Sequence, residues 1–236
     1  MHVLILGCGY TGQRVARRFL ARGAQVTGTH RNWSLDDVRK HALPGMLVLH
    51  SVPPEGSAGL LEALGDAPAR VVYLSTTGVY GSANVVDETT AVDPAHPRIA
   101  EEQRVAAGPW SSLILRPGGI YGPGRGIHER VRNGEPVAMG DNVVSRIHVE
   151  DLAAHVEAGL LSDITGAYPV ADEEPCTSRE IAEFCAKLMR RPLPPPSESR
   201  VRSNRRVDGS AIRRALGITL LYPSYRLGIP PSHNEF

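Results

Sequence analysis

Residues 1–12 read MHVLILGCGYTG, and this stretch decides the fold. The run His2–Leu6 is aliphatic and β-branched, which is typical of a short buried strand. Three glycines follow at the spacing GxGxxG, namely Gly7, Gly9 and Gly12. Apolar residues then recur at helical spacing. A glycine motif between a strand and a helix is typical of the loop that binds the pyrophosphate of a dinucleotide.

Each glycine has its own role in such a loop. The first allows a tight turn, the second lets the backbone approach a phosphate, and the third lets the helix pack closely on the strand. The phosphates lie at the helix N-terminus, where free N–H groups and the helix dipole favour negative charge. We therefore expect Gly7, Gly9, Tyr10, Thr11 and Gly12 to contact a pyrophosphate. The alternative is a glycine turn that serves packing alone.

The residue types at the end of the second predicted strand, Gln25–Thr29, indicate whether NAD or NADP is the preferred cofactor. An acid there binds the ribose 2′-hydroxyl of NAD and repels the 2′-phosphate of NADP. This chain has Thr29 and Arg31 at that point, and its next acids, Asp36 and Asp37, fall in a predicted helix. Arg31 can pair with a 2′-phosphate. The sequence favours NADP, with NAD as second choice; alternatively, Arg31 is a solvated loop residue.

Strands and helices alternate along residues 1–172, which predicts a parallel sheet with helices on both faces. We expect an α/β fold: a Rossmann doubly wound parallel sheet over 1–172, with a small C-terminal lobe over 173–236. The other predicted strands are Met46–Val52, Arg70–Ser75, Ser112–Leu115 and Ala167–Val170; the predicted helices are Tyr10–Arg22, Ser34–His41, Leu60–Leu64, Ile99–Ala106, His148–Leu161, Thr177–Arg190 and Ser210–Leu216. Ser34 and Thr177 begin capping boxes.

Composition excludes several classes of partner. The 236 residues carry a formal charge of +1, so neither nucleic acid nor an anionic membrane is an expected partner. The chain contains no apolar run of the ~18 residues that a membrane span needs, and its first residues lack a signal peptide's basic start. Cys8, Cys176 and Cys185 have no metal-ligand spacing. We expect a soluble cytoplasmic protein without metal.

Three further segments carry a family resemblance. Ser75–Gly81 reads STTGVYG, Arg116–Gly124 reads RPGGIYGPG and Ile147–Ala153 reads IHVEDLA. With the glycine motif, they resemble, in the same order, the extended short-chain dehydrogenase/reductases, the NAD-dependent epimerase/dehydratase-like proteins. This resemblance covers residues 1 to about 172. It implies an NAD(P)-binding Rossmann sheet with a smaller lobe over the substrate, and a homodimer by analogy.

The resemblance also implies residue roles. Thr76 takes the place of the catalytic Ser/Thr, whose hydroxyl polarises the substrate oxygen beside the cofactor; alternatively, Thr76 only caps the strand end. Ser51 lies along the cofactor ribose. Pro117 and Gly118 lie near the nicotinamide.

This chain departs from the family at its catalytic pair. The family has Tyr-x-x-x-Lys between these motifs, where the Tyr is the general acid/base and the Lys lowers its pKa. No tyrosine lies between Tyr80 and Tyr121, and no lysine between Lys40 and Lys187. We expect Arg98 to stand in the place of the lysine and to bind ribose or phosphate, but a guanidinium does not exchange protons near neutral pH. The pattern resembles the atypical branch of the superfamily.

Other residues are candidates for the substrate side. Tyr80 and Tyr121 end YG turns, and we expect them in the cleft, with Arg125 as a further substrate contact. Tyr80 is a candidate to replace the missing acid; the alternatives for both tyrosines are substrate contact or packing. His148 is expected to orient its helix. The arginine-rich segment at 200–206 is either solvated or clasps an anion.

The span from Thr29 to Ser75 is short for an extended member, so we expect one edge strand to be missing. The leading hypothesis is an NADP(H)-dependent oxidoreductase or epimerase-like enzyme with a non-standard proton donor. Its small-molecule substrate, a carbonyl compound or sugar nucleotide, is unknown. The alternatives are a non-catalytic, NADP(H)-responsive regulatory protein and a scaffold that binds no nucleotide.

Overall fold

A computed structural model describes residues 1–198 and 204–234. Its strands are β1 (His2–Leu6), β2 (Gln25–Gly28), β3 (Met46–His50), β4 (Pro68–Leu74), β5 (Val85–Val86), β6 (Ser111–Pro117), β7 (Gly119–Tyr121), β8 (Val143–Val144), β9 (Arg146–His148), β10 (Gly166–Val170), β11 (Cys176–Thr177) and β12 (Arg206–Val207). Its α-helices are α1 (Tyr10–Ala21), α2 (Leu35–His41), α3 (Leu60–Leu64), α4 (Pro97–Ala106), α5 (Ile127–Asn133), α6 (Val149–Leu160), α7 (Ser178–Met189), α8 (Ser210–Leu216) and α9 (Tyr225–Asn234). Short 3₁₀ turns occupy Pro54–Gly56 and Thr77–Tyr80.

The main sheet confirms the predicted fold class. Six parallel strands pair in the order β10-β6-β4-β3-β1-β2. The chain runs from β1 outward to β2 and then crosses back to β3 on the other side of β1. Open α/β sheets bind ligands at the carboxyl ends of their strands beside such a reversal. Within the described residues no strand pairs outside β2, as the short span after Thr29 predicts.

Each face of the sheet has its own apolar core. On one face, Phe19 of α1 and Val156 of α6 are fully buried with Val72 of β4. On the other, Leu64 of α3 packs with Val48 of β3. Burying a side chain of this size contributes ~1.5–3 kcal/mol. These two clusters fix the strand ends, and with them the loops that build the site.

Helix starts follow local sequence signals. Both predicted capping boxes are present, with Ser34 before α2 and Thr177 before α7. His148 ends β9 and caps α6, so the predicted start of that helix at His148 was one residue early. No helix among the described residues combines the length and apolar character that crossing a membrane requires.

A smaller apolar cluster lies beside the sheet. It joins Tyr121 of β7 and Val131 of α5 to Ile181 of α7 and Ile229 of α9. This cluster therefore draws on residues before and after position 172. In contrast, Ile212 of α8 packs into the main core. The domain boundary at residue 172 stays a prediction.

Candidate functional site

The glycine loop is held in shape by the neighbouring strands. The backbone amides of Gly7 and Cys8 donate to the hydroxyl and the carbonyl oxygen of Thr29, each at 3.0 Å. The Ser51 hydroxyl donates to the Gly7 carbonyl at 2.7 Å. Gly7 has a φ of +84°, a conformation that residues with a side chain rarely adopt. Thr29 and Ser51 therefore brace the loop from both sides.

The other two glycines have different surroundings. A Cβ added at Gly12 meets the Gly7 carbonyl oxygen at 2.8 Å and Ile5 Cγ2 at 3.0 Å, so close packing of α1 on β1 requires glycine there. A Cβ added at Gly9 meets nothing within 4 Å. Since α1 begins after Gly9, the first N–H groups of that helix border this open space without acceptors in the helix. The loop thus leaves room for an anion where the pyrophosphate is expected.

A cavity of about 680 Å³ opens at the carboxyl ends of β1, β2 and β3. It is lined by Gly7, Cys8, Gly9, Thr29, His30, Arg31, Trp33, Val38, Ser51, Val52, Pro53, Glu55, Gly56 and Leu60. The lining is polar along the glycine loop and apolar at Trp33, Val38 and Leu60. Its size falls within the ~300–1,000 Å³ of small-molecule sites. Its polarity suits a nucleotide with phosphates at one end and a base at the other.

The charges at the end of β2 bear on cofactor choice. Arg31 is exposed at the cavity, and no carboxylate of the described residues pairs with it. Asp36 pairs with Arg39 at 2.5 Å. Asp37 accepts hydrogen bonds in the capping box of α2, which lower its pKa. Both acids after β2 are therefore engaged within α2.

Thr76 and Arg98 come together at the end of β4. The Thr76 hydroxyl accepts a hydrogen bond from the Gly78 amide at 3.1 Å, so its own proton is available to another acceptor. One guanidinium nitrogen of Arg98 donates to the Leu74 carbonyl at 2.8 Å and to the Tyr73 hydroxyl at 3.2 Å. This placement agrees with both residues acting at one site, and their roles stay predictions.

A buried polar network that the motifs did not predict underlies this strand end. Arg116 of β6 donates twice to the carboxylate of Glu102 in α4, at 2.7 and 3.1 Å. The Ser75 hydroxyl donates to the same carboxylate. Arg116 also donates to the Tyr80 hydroxyl at 3.2 Å. The signal in the sequence was Glu102 itself, an acid on the apolar face of α4.

The side chains of Tyr80 and Tyr121 are both buried. Tyr80 is 3% exposed with its hydroxyl on Arg116, and burial raises its pKa. Tyr121 is also buried; a Cβ added at Gly228 of α9 meets its hydroxyl at 2.5 Å. Burial raises the pKa of Tyr121 as well. Other parts of the chain cover both hydroxyls, but Tyr121 also lines a second cavity, so the expected substrate contact stays a prediction. This placement favours the packing alternative for Tyr80.

The residues after β6 approach a neighbouring strand closely. Pro117 ends β6 and is buried, and the Gly118 amide donates to the Val170 carbonyl at 2.9 Å. A Cβ added at Gly118 meets the Ser145 carbonyl oxygen at 2.5 Å, so only glycine fits there. His148 accepts from the Glu150 amide as the cap of α6, which confirms its expected role at the helix start.

Tyr10 connects the glycine loop to the segment that follows β7. Its hydroxyl donates to the Pro123 carbonyl at 3.0 Å. The guanidiniums of Arg14 and Arg125 lie 4.1 and 5.3 Å from its ring centroid. Burial raises the pKa of Tyr10 to about 12. Arg125 is exposed and lines a second cavity, so the predicted substrate residue lies beside the predicted phosphate loop.

The arginine-rich segment holds a structural residue. Arg200 and Arg202 lie outside the described residues. Arg205 is 6% exposed and donates to the carbonyls of Thr77, Gly81 and Ala83. For Arg205, neither a solvated position nor an anion clasp is correct, because its donors bind the loop that follows Thr76. Among the described residues, no group of three or more His, Cys, Asp or Glu side chains is arranged to hold a metal ion.

The fold and the crevice define a class. A parallel sheet with a glycine loop and a nucleotide-sized cavity beside the reversal of strand order is the architecture of Rossmann-type dinucleotide-binding proteins. No protein-family model matches the chain.

Solved structures agree with this class. A proposed NAD-dependent epimerase/dehydratase of Methylobacillus flagellatus is 25% identical, with a TM-score of 0.77 over 98% of this chain and 97% of that one. Human epimerase family protein SDR39U1, solved with NADPH, has a TM-score of 0.81 over the whole of both chains; at 18% identity it shows the fold alone. The structural neighbours are NAD-dependent epimerase/dehydratase-like short-chain dehydrogenase/reductases, which confirms the resemblance read from the motifs.

Two curated proteins are similar in sequence. A 3-diazoavenalumate denitrifying reductase of Streptomyces is 30% identical over 67% of this chain, and the match covers 62% of that reductase, less than two thirds of its length. Protein YeeZ of Escherichia coli is 28% identical, over 94% of this chain and 96% of its own length. Of the two solved structures above, one is described as NAD-dependent and the other holds NADPH.

Proposed function

We propose that this protein binds NADP(H) and uses it as an oxidoreductase or epimerase-like enzyme, with reductase activity the better supported. The observation that carries the proposal is the continuous cavity from the glycine loop to Arg31. The proposal places the pyrophosphate at Gly9 and the N-terminus of α1. The adenosine end then lies by Trp33 and Leu60.

The residues present fit the cofactor. The open space at Gly9 is of the kind that a phosphate fills, and only a residue without a side chain leaves it clear. Arg31 offers a guanidinium to a 2′-phosphate. Asp36 and Asp37, which could otherwise bind the ribose of NAD, are engaged within α2. These contacts support NADP over NAD.

NADPH, when bound, supplies a hydride. The chain's own contribution at the end of β4 is the Thr76 hydroxyl, whose proton is available to a substrate oxygen. Arg98 holds this strand end through the Leu74 carbonyl and offers positive charge. Losing general acid catalysis costs ~10²- to 10⁴-fold in rate, so orientation of the substrate carries more of the catalysis here. The similarity to a protein named as a reductase supports reduction.

Calorimetric titration of NADPH and NADH tests the cofactor assignment. Arg31→Ala should weaken NADPH about 10-fold or more, because hydrogen bonds to charged groups contribute ~1.5–3 kcal/mol and this one is exposed. NADH affinity should not change. Arg17→Ala removes an exposed arginine of α1 and is the matched control. A protein that binds neither nucleotide, or an Arg31 variant that loses both equally, contradicts the assignment.

Turnover is tested separately, by following NADPH absorbance with a panel of carbonyl compounds and sugar nucleotides. A second candidate function is a non-catalytic, NADP(H)-responsive protein. The burial of Tyr80 on Arg116 favours it, since this phenol is not free to replace the missing acid. NADPH binding that changes the oligomeric state without any turnover would support this second function.

A further inference from the structure

A second cavity, of about 390 Å³, lies between β7, α5, α7 and α9. The charged side chains in its lining are all positive. Arg125, Arg130 and Arg146 contribute guanidiniums, and its described lining includes no Asp or Glu. A pocket lined by one sign of charge concentrates ions of the opposite sign. The proposed cofactor site does not use these arginines.

Arg146 is the buried member of this set. Its guanidinium donates to the Val144 carbonyl at 2.9 Å, the Cys176 carbonyl at 3.0 Å and the Ser178 hydroxyl at 3.3 Å. Its described hydrogen bonds go to carbonyls, to the Ser178 hydroxyl and to the Cys176 sulfur, and none goes to a carboxylate. Asp172 is next to it, but burial raises the pKa of that carboxyl to about 8. A buried cation without a counter-ion is costly, and an incoming anion offsets that cost.

The other two arginines lie nearer the solvent. Arg130 donates to the Pro136 carbonyl at 3.0 Å, a neutral acceptor. Arg125 lies over the Tyr10 ring, at the start of α1. The acid of α5, Glu129, already pairs with Arg132 at 3.0 Å. Among the described residues, no carboxylate forms an ion pair with Arg125 or Arg130, so their positive charge is not neutralised in this way.

The rest of the wall combines isoleucines with Tyr121, His128, Ser178 and Tyr225, and the volume is small. Isoleucine side chains of β7, α5, α7 and α9 line it: Ile120, Ile127, Ile181 and Ile229. The volume lies near the lower end of the ~300–1,000 Å³ found for small-molecule sites. It suits one ring with a short side chain better than a base, two sugars and two phosphates.

We infer that this cavity binds a small organic carboxylate with an apolar body, and that this is the substrate class. The carboxylate lies toward the arginines and the apolar body lies on the isoleucines. This inference rests on the proposed function for its link to catalysis. The binding itself follows from the cavity and is measured without turnover.

The test compares two probes of the same shape, 3-phenylpropanoate and its uncharged amide, 3-phenylpropanamide. Calorimetry is run on the full chain, with and without saturating NADPH, and UDP-glucose serves as a large anionic competitor. The carboxylate should bind at least 10-fold more tightly than the amide. The double variant Arg125→Gln/Arg130→Gln should remove that difference and leave amide affinity unchanged. Arg179→Gln, an exposed arginine of α7 outside the lining, should leave it intact.

The inference is overturned if the amide binds as well as the carboxylate or if UDP-glucose binds more tightly than both. It is also overturned if neither probe binds at millimolar concentration to a folded protein. NADPH binding is recorded in the same samples. If NADPH does not bind, the proposed function is contradicted. The carboxylate measurement then still tests, by itself, whether the cavity binds a carboxylate.

Discussion

Asp172 gives a sharp prediction for how stability depends on pH. Its side chain is 2% exposed, and neither carboxyl oxygen has a hydrogen-bond partner among the described residues. Burial raises its pKa to about 8, and the Arg146 guanidinium opposes that shift only in part. Above the ordinary pKa of 3.8, the unfolded chain has lost this proton while the folded chain keeps it. The contribution of Asp172 to stability must therefore fall as the pH rises toward 8.

The size of the effect follows from the two pKa values. Each pH unit between them costs about 1.4 kcal/mol. From pH 6.5 to pH 8 the folded carboxyl begins to ionise, so the total loss is ~1.6 kcal/mol. Asp172→Asn keeps the shape of the side chain and removes its titration. The variant should lose this slope, whatever its absolute stability.

The buried histidines His50, His148 and His155 contribute a slope of opposite sign in the window from pH 6.5 to 8, because burial lowers their pKa values. Burial lowers the pKa of His148 to about 3 and of His155 to about 4, from an ordinary 6.5. Each is neutral in the folded chain, but in the unfolded chain it is half protonated at pH 6.5 and almost fully neutral at pH 8, so each stabilises the fold by ~0.4 kcal/mol as the pH rises across the window. This contribution is the same in Asp172→Asn and in the parent protein, so the difference between their slopes reports Asp172 alone. Urea unfolding at both ends of the window, followed by circular dichroism, measures the slope. Equal slopes in Asp172→Asn and the parent protein would refute the reasoning.

Three further substitutions test other parts of the site. Gly9→Leu should abolish binding of NADPH and NADH in calorimetry while barely changing unfolding by urea, because its Cβ meets nothing within 4 Å. Gly12→Ala should destabilise the fold by ~1–3 kcal/mol in the same unfolding assay, since its Cβ overlaps the Gly7 carbonyl. Arg205→Met should cost about 2–5 kcal/mol, because it leaves three carbonyls without their donor. An unchanged midpoint in either of the last two contradicts the packing described here.

Local signals in the sequence predicted local structure well. The glycine spacing predicted the loop and its packing, because the close approach of α1 to β1 at Gly12 depends on a few neighbouring residues. Ser34 and Thr177 predicted their capping boxes for the same reason. The short span after Thr29 correctly indicated a sheet that ends at β2. Each of these features is settled within a short stretch of chain.

Long-range contacts were not predictable in this way. Glu102 and Arg116 pair across α4 and β6, and Arg205 reaches the carbonyls of residues 77–83 from far along the chain. A charge pattern does not say which partner a buried guanidinium meets. The motifs predicted that Tyr80 and Tyr121 lie near strand ends. The surroundings of their hydroxyls depend on distant residues, namely Arg116 for Tyr80 and Gly228 of α9 for Tyr121.

The groups at the end of β4 bear on the direction of the chemistry. An epimerase oxidises and then reduces the same carbon, so its acid/base group must accept a proton and return it. A threonine hydroxyl such as Thr76 and a guanidinium such as Arg98 keep their protonation near neutral pH. One-way hydride delivery needs only that the substrate be oriented and its developing charge be met by donors, with solvent supplying the proton. A strand end whose hydrogen-bond donor and cation both keep their protons near neutral pH therefore supports a reductase better than an epimerase.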